Sequence, residues 1–87
     1  MLKLPEVKEY LRFDSDFEDE YLKILILLSK EMCENYIRQK LPRRLPESIK
    51  QAQLLIIGYF FEHRDGTKDG IPPAVYALLN PYRKAVF

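Results

Sequence analysis

Two apolar stretches, joined by a short basic segment rich in proline, constrain this chain more than any other feature. The first, FEDEYLKILILLSKEMCENYIRQKL from Phe17 to Leu41, contains neither Gly nor Pro. It runs from an acidic start through an apolar middle to a basic end. A helix prefers that order, with carboxylates at the positive end of its macrodipole and cations at the negative end. Asp19 with Lys23, and Glu34 with Arg38, stand at the favourable four-residue spacing. Ser15 and Glu18 match the capping box that opens a helix, and Pro42 is the breaker that ends it. Two overlapping apolar stripes follow the helical period: Phe17, Tyr21, Ile24, Leu28 and Met32, then Leu25, Leu28, Met32 and Tyr36. Between Ile24 and Leu28 the helix is apolar on every side, which predicts burial on more than one face.

The second stretch begins at Pro46-Glu47-Ser48 and runs through LLIIGYFF. Ile49, Ala52, Ile56, Tyr59 and Phe60 make its main stripe, while Leu54, Leu55, Ile57 and Phe61 cover its other sides. Gly58 lies in its middle at a cost of ~1 kcal/mol relative to Ala, which the close approach of another backbone would justify. Two such helices with a short connector predict an antiparallel helical hairpin, over approximately 16–41 and 47–64. A short helix precedes it, with Pro5 in the first turn and Leu4, Val7 and Leu11 on one face; it stops near Phe13 before Asp14-Ser15-Asp16. Ala74 to Leu79 is a short C-terminal helix closed by Asn80-Pro81. The expected fold is a single all-α domain over residues 1–87, a bundle of about four helices. The two Asp-Gly pairs within 65–71 predict an exposed, mobile loop, and residues 80–87 a C-terminal tail.

Bulk composition narrows the function. The chain has 87 residues, 47% of them hydrophobic, which is rich for its size. A domain this small buries only ~60–65% of the surface its unfolded chain exposes, so part of that apolar surface is expected to meet another chain. A formal net charge of +1 argues against a dedicated nucleic-acid binder with a strongly basic face. A single cysteine, Cys33, cannot form an internal disulfide, and together with an N-terminus that lacks a signal pattern this points to a cytosolic setting. The longest nearly apolar run, Leu54 to Phe61, is far short of the ~20 residues that span a bilayer, so no membrane role is expected.

No motif for catalysis emerges. His63 and Cys33 are single residues of their kinds, too few for the usual zinc set, and are read as a helix-end residue and a small buried hydrophobe. The acidic run from Asp14 to Glu20 has Asp19 where a calcium loop needs Gly, so helix capping explains it better. Three glycines, none clustered, exclude a phosphate loop. The expectation is a non-enzyme without metal or cofactor. Arg38, Lys40, Arg43, Arg44 and Lys50 gather at the connector. An alternative reading makes the protein a small DNA-binding or regulatory protein using Arg43-Arg44, although a second helix reading LLIIGYFF calls for burial and not for base-edge contacts.

The charge layout suggests assembly instead. Asp14, Asp16, Glu18, Asp19 and Glu20 mark one end of the long helix; Arg38, Lys40, Arg43 and Arg44 mark the other. An acidic patch on one copy meeting the basic patch of the next would fix the register of a repeating contact, one that closes into a ring where the rotation allows.

Three stretches then carry a likeness to a known family: LKLPEVKEYLRFDSDFEDEYL (Leu2 to Leu22), IKQAQLLIIGYFFEHR (Ile49 to Arg64) and IPPAVYALLNPYR (Ile71 to Arg83). In this order and spacing the chain resembles the small phage and prophage head-to-tail connector (adaptor) proteins, often labelled as possible DNA-packaging proteins. His63 stands where that family's pattern has Asn, and Ala74 where it has Gly. The resemblance implies a structural protein of the virion neck, present in the host bacterial cytoplasm before assembly. It implies a homo-oligomeric ring on the order of a dozen copies. Its partners would be the portal protein and a neck or tail completion protein. Double-stranded DNA would pass through the lumen without sequence-specific binding, which a near-neutral chain suits. The tail, with Tyr82, Arg83, Val86 and Phe87, is a candidate docking segment for the portal or a neighbour.

Overall fold

The computed structural model of the chain describes residues 2–63 and 71–84. Among these it holds four α-helices: α1 (Leu4–Leu11), α2 (Asp19–Ile37), α3 (Glu47–Glu62) and α4 (Pro73–Leu79), the last running into a 3-10 turn, Asn80–Tyr82. No strand occurs among the described residues. The all-helical expectation holds. The expected loop over 65–71 lies outside the described residues except for Ile71.

α1 forms because Pro5 presets the first turn and the Lys3 N–H is taken up by the Glu6 carboxylate at 3.1 Å. It ends with Arg12 in the left-handed region (φ 55°), where Phe13 N–H bonds Lys8 C=O and Arg12 N–H bonds Glu9 C=O, a Schellman closure made without glycine.

The long helix is shorter than the sequence suggests at both ends. The expected capping box is absent. Ser15 Oγ instead accepts the Phe17 N–H at 3.1 Å in a local turn, and Glu18 is the N-cap residue, with no side-chain cap bond. Helix α2 therefore starts at Asp19. It stops at Ile37, one turn before Pro42, because Arg38 turns left-handed (φ 62°) and its N–H bonds Glu34 C=O at 2.8 Å. The Glu34 carboxylate then accepts the Leu41 N–H at 2.9 Å. Pro42 acts backwards along the chain: it disfavours helical backbone at Leu41, so the helix ends before reaching it. α3 likewise ends at Glu62, with His63 as its C-cap residue.

α2 and α3 pack antiparallel. Ile37 and Cys33 share a cluster with Ile49 and Ala52, Ser29 meets Gln53, and the Tyr21 hydroxyl reaches Phe60 C=O. The core falls into two clusters on either side of the Ser29–Gln53 pair. One joins Leu2, Val7, Leu22, Leu25, Leu54 and Ile57 under α1; the other joins Cys33, Ile37, Ile49, Ile56, Val75 and Leu79 under α4. α3 lies at the centre and is covered on several sides, as its sequence predicts. Gly58 faces α1: a Cβ there would lie 3.5 Å from Tyr10 Cε2 and 4.0 Å from Leu11 Cδ2. The close neighbour is thus a pair of side chains and not a backbone.

α2 departs from expectation in a way that matters for function. Its inner face is Leu22, Leu25, Ile26, Ser29, Cys33 and Ile37. Of the first expected stripe, Tyr21, Leu28 and Met32 pack partly against the core, while Phe17 and Ile24 point outward; together with Leu27, which belongs to neither stripe, they are 92%, 60% and 59% exposed. The molecule is only 17 Å across its shortest axis.

Candidate functional site

The acidic patch is partly occupied within the chain. Lys8 Nζ of α1 lies 2.8 Å from Asp19 Oδ1 and 2.9 Å from Asp16 Oδ1, and these two hydrogen bonds, Asp19 first, push the Lys8 ammonium above its usual range. Glu20 pairs with Lys23 at 3.3 Å. Glu18 is half-buried as the N-cap residue. Asp14 is exposed and makes no ion pair among the described residues. Lys8 locks α1 to the entry of α2, a coupling the sequence reading missed because the partners lie eight and eleven residues apart.

The basic patch sits at the far end of α2, roughly 28 Å along a 19-residue helix. Arg38, Lys40 and Arg44 are exposed and form no ion pair among the described residues. Arg43 borders a cleft of about 390 Å³ between α2, α3 and the connector. Leu2, Ile26, Leu41, Pro42 and Leu45 give this cleft its apolar walls, and Lys30, Arg43 and Gln53 its polar groups. Lys50 is drawn away from the patch: it bonds Glu6 at 2.9 Å, which raises its own affinity for a proton and holds the Glu6 carboxyl below its usual range.

The root of the tail is stitched to the end of α2. Lys84 N–H bonds Ile37 C=O at 2.8 Å, Gln39 Nε2 donates to Tyr82 C=O at 2.6 Å, and the Arg83 guanidinium lies 4.7 Å over the Tyr36 ring. The Tyr36 hydroxyl bonds the Asn80 side chain. Tyr82 and Arg83 therefore make contacts inside the chain, while Val86 and Phe87 lie outside the described residues.

The remaining groups of chemical interest are engaged structurally. Cys33 is fully buried, and burial, with Glu34 beside it, pushes its thiol up to about 12. His63 stacks on Tyr59 at 4.4 Å between ring centroids, with Nδ1 2.8 Å from Tyr59 C=O. Among the described residues no group of three His, Cys, Asp or Glu side chains is placed to hold a metal ion. The solvent-facing positions of α3 are Glu47, Gln51 and Glu62, an acidic and amide set poorly suited to reading DNA base edges. No helix among the described residues is long and apolar enough to cross a membrane.

The arrangement offers surfaces for association: an outward apolar stripe on α2, an acidic end, a basic end and an apolar cleft with cationic groups. The cleft and Leu27 were not singled out in the sequence; Phe17 and Ile24 were, in a stripe read as buried. The available signal was that Ile24 to Leu28 is apolar on every side, so that not all of it can face α3.

A family model described as phage gp6-like head-tail connector protein matches residues 1–83. No curated protein matches the chain in sequence. Among solved structures, bacteriophage HK97 gp6 is similar, with a TM-score of 0.79 over 93% of this chain and 91% of that one, at 21% sequence identity. At that identity the likeness speaks for the fold.

Proposed function

The chain belongs to the phage gp6-like head-tail connector family, and from that premise we propose that it is a structural adaptor whose copies, on the order of a dozen, close into a ring beneath the portal. The ring joins the portal at the capsid vertex to the next neck or tail protein. Double-stranded DNA passes through its lumen without sequence-specific contacts. The protein collects in the host bacterial cytoplasm before assembly and ends in the virion neck.

The observation that carries ring assembly is the exposed apolar surface made by Phe17, on the turn before α2, with Ile24 and Leu27 of α2. Single exposed apolar side chains are ordinary, but a large aromatic on the turn before α2 and two aliphatics on the outward face of α2 form a surface suited to a protein partner. Unpaired cations at one end of α2 and carboxylates at the other suit head-to-tail contact, because α2 is too long for the two ends to meet within one chain. The tail supplies a further contact to the portal or a neighbour.

Light scattering on a size-exclusion column, over a range of concentration and with and without a purified portal ring, tests the proposal. The expected result is a species on the order of a dozen chains, alone or on the portal. A monomer under both conditions would overturn it.

A further inference from the structure

Resting on the ring reading above, we infer that Phe17 of one copy seats in the cleft between α2, α3 and the 41–45 connector of the next copy. Phe17 is 92% exposed, so it does not fill the cleft of its own chain. It is nonetheless held in place: its N–H is fixed by Ser15 Oγ at 3.1 Å, and the turn that carries it is tied to α1 through Lys8 and Asp16. A large aromatic presented on an ordered turn loses little freedom on docking, a hallmark of residues that dominate interfaces.

The cleft fits this occupant in size and in charge. Its volume is about 390 Å³, with walls of Leu2, Ile26, Leu41, Pro42 and Leu45. A cavity of ~150 Å³ lined by apolar side chains already admits a benzene ring. Beside it stand Lys30 and Arg43, and next along the chain Arg44, while Phe17 is flanked by Asp14, Asp16, Glu18 and Glu20. Seating the ring brings carboxylates to cations. Glu20, 89% exposed, pairs with the exposed Lys23 and can exchange partners at little cost, while Asp16 keeps Lys8 and holds the turn.

Knob and cleft are different patches of one chain. Each contact therefore leaves one knob and one cleft unfilled, and the series ends only when the chain of copies closes on itself. Ile24 and Leu27, on the same outward face of α2, extend the contact beside the knob.

The test is disulfide trapping of the full chain with Glu20→Cys and Arg44→Cys together, an exposed pair that keeps the Phe17 ring and that the seating brings side by side. Cys33, fully enclosed, does not compete for oxidant. Mild oxidation at high protein concentration should give a non-reducing gel ladder of dimers, trimers and higher species. Each single variant should stop at dimer, because one cysteine per chain can link only two chains. A control pair, Glu20→Cys with Tyr76→Cys on α4, should give no ladder. Phe17→Ser should weaken association more than about tenfold, as an interface hot spot does, with an unchanged thermal melt because the side chain is exposed. Absence of a ladder while light scattering of the unaltered chain shows multimers would overturn the Phe17 contact and leave the ring standing. Equal ladders from the control pair, or a closed dimer as the largest species, would overturn the head-to-tail seating. Absence of both multimers and ladder, with and without portal, would overturn both readings.

Discussion

Replacing Gln53 with Met should leave the fold intact and make it more stable. Gln53 is 2% exposed and Ser29 is fully buried. Gln53 Nε2 donates to Ser29 Oγ at 3.1 Å, and that hydroxyl donates in turn to Ile26 C=O at 2.9 Å. The donor chain fixes the orientation of the amide and leaves Gln53 Oε1 buried without a hydrogen-bond partner. An unmet buried acceptor costs ~1–3 kcal/mol, whereas the Nε2–Oγ bond contributes a net ~0.5–1.5 kcal/mol. Met matches Gln closely in length and helix propensity, so neither packing nor propensity should dominate. The difference predicts a gain of about 1 kcal/mol, or a rise in Tm of roughly 4–8 °C for a domain of this size. Urea unfolding followed by circular dichroism, at a concentration where the chain is monomeric, measures it. Ser29→Ala alone should destabilise, because it leaves Nε2 unmet as well, and adding it to Gln53→Met should cost much less than it does alone. A loss of more than about 1 kcal/mol for Gln53→Met, at unchanged m-value, would refute the reasoning and show that the amide is fully satisfied. The polar pair would then be a net support of the α2–α3 packing; as read here, it sets the register of the two helices at some expense of stability.

Three further outcomes follow from the same structure. Gly58→Ala should stabilise by about 0.5–1 kcal/mol in a thermal melt, because the added methyl meets Tyr10 at 3.5 Å, ordinary contact, and gains helix propensity; a lower Tm would show that α1 cannot tolerate it. Cys33 titrates near 9.0 when free and is pushed up to about 12 in the fold, so the unfolded chain loses its proton first. Stability attributable to the neutral thiol is therefore complete below about pH 9 and declines above it, by up to ~1.4 kcal/mol per pH unit, and Cys33→Ala should show a shallower alkaline decline in urea midpoints between pH 8 and 11. Glu6 is held below its usual 4.5, first by the hydrogen bond from Lys50. Its contribution is thus present above pH 4.5 and lost as pH falls through the depressed value, and Glu6→Gln should flatten the acid limb of the stability profile; an unchanged limb would show that the pair contributes nothing measurable.

Much of the architecture was legible from local rules. Pro5, Pro46 and Pro73 sit where helices begin, and the all-round apolar pattern of Ile49 to Phe61 marks the helix that others cover. The antiparallel hairpin followed from two such segments and a short connector. Helix ends were less legible, because backbone hydrogen bonds decided them. Ser15 and Glu18 fit a capping box on paper, but the hydroxyl closes a tighter turn onto Phe17 N–H, and the nearby carboxylates turn to Lys8 from α1. Arg38 adopts a left-handed conformation that its residue type does not announce.

By itself, then, the sequence determined that this is a helical protein, where its helices lie and that it holds more apolar surface than a chain of this size can bury. Those properties depend on periodicity, proline and composition, which act within a few residues or over the whole chain. Tertiary structure alone decided which apolar residues stay outside. α2 is apolar on several sides, and the face that turns inward, Leu22, Leu25, Ile26, Ser29, Cys33 and Ile37, is neither of the two stripes read from the sequence; that choice rests on a contact far away in sequence. With Ser29 paired to Gln53, and Cys33 and Ile37 laid against Ile49 and Ala52, the helix is rotated so that Ile24 and Leu27 face outward, and the turn closed by Ser15 leaves Phe17 outside as well. A rotation about the helix axis changes no local preference, so nothing in the local sequence encodes it.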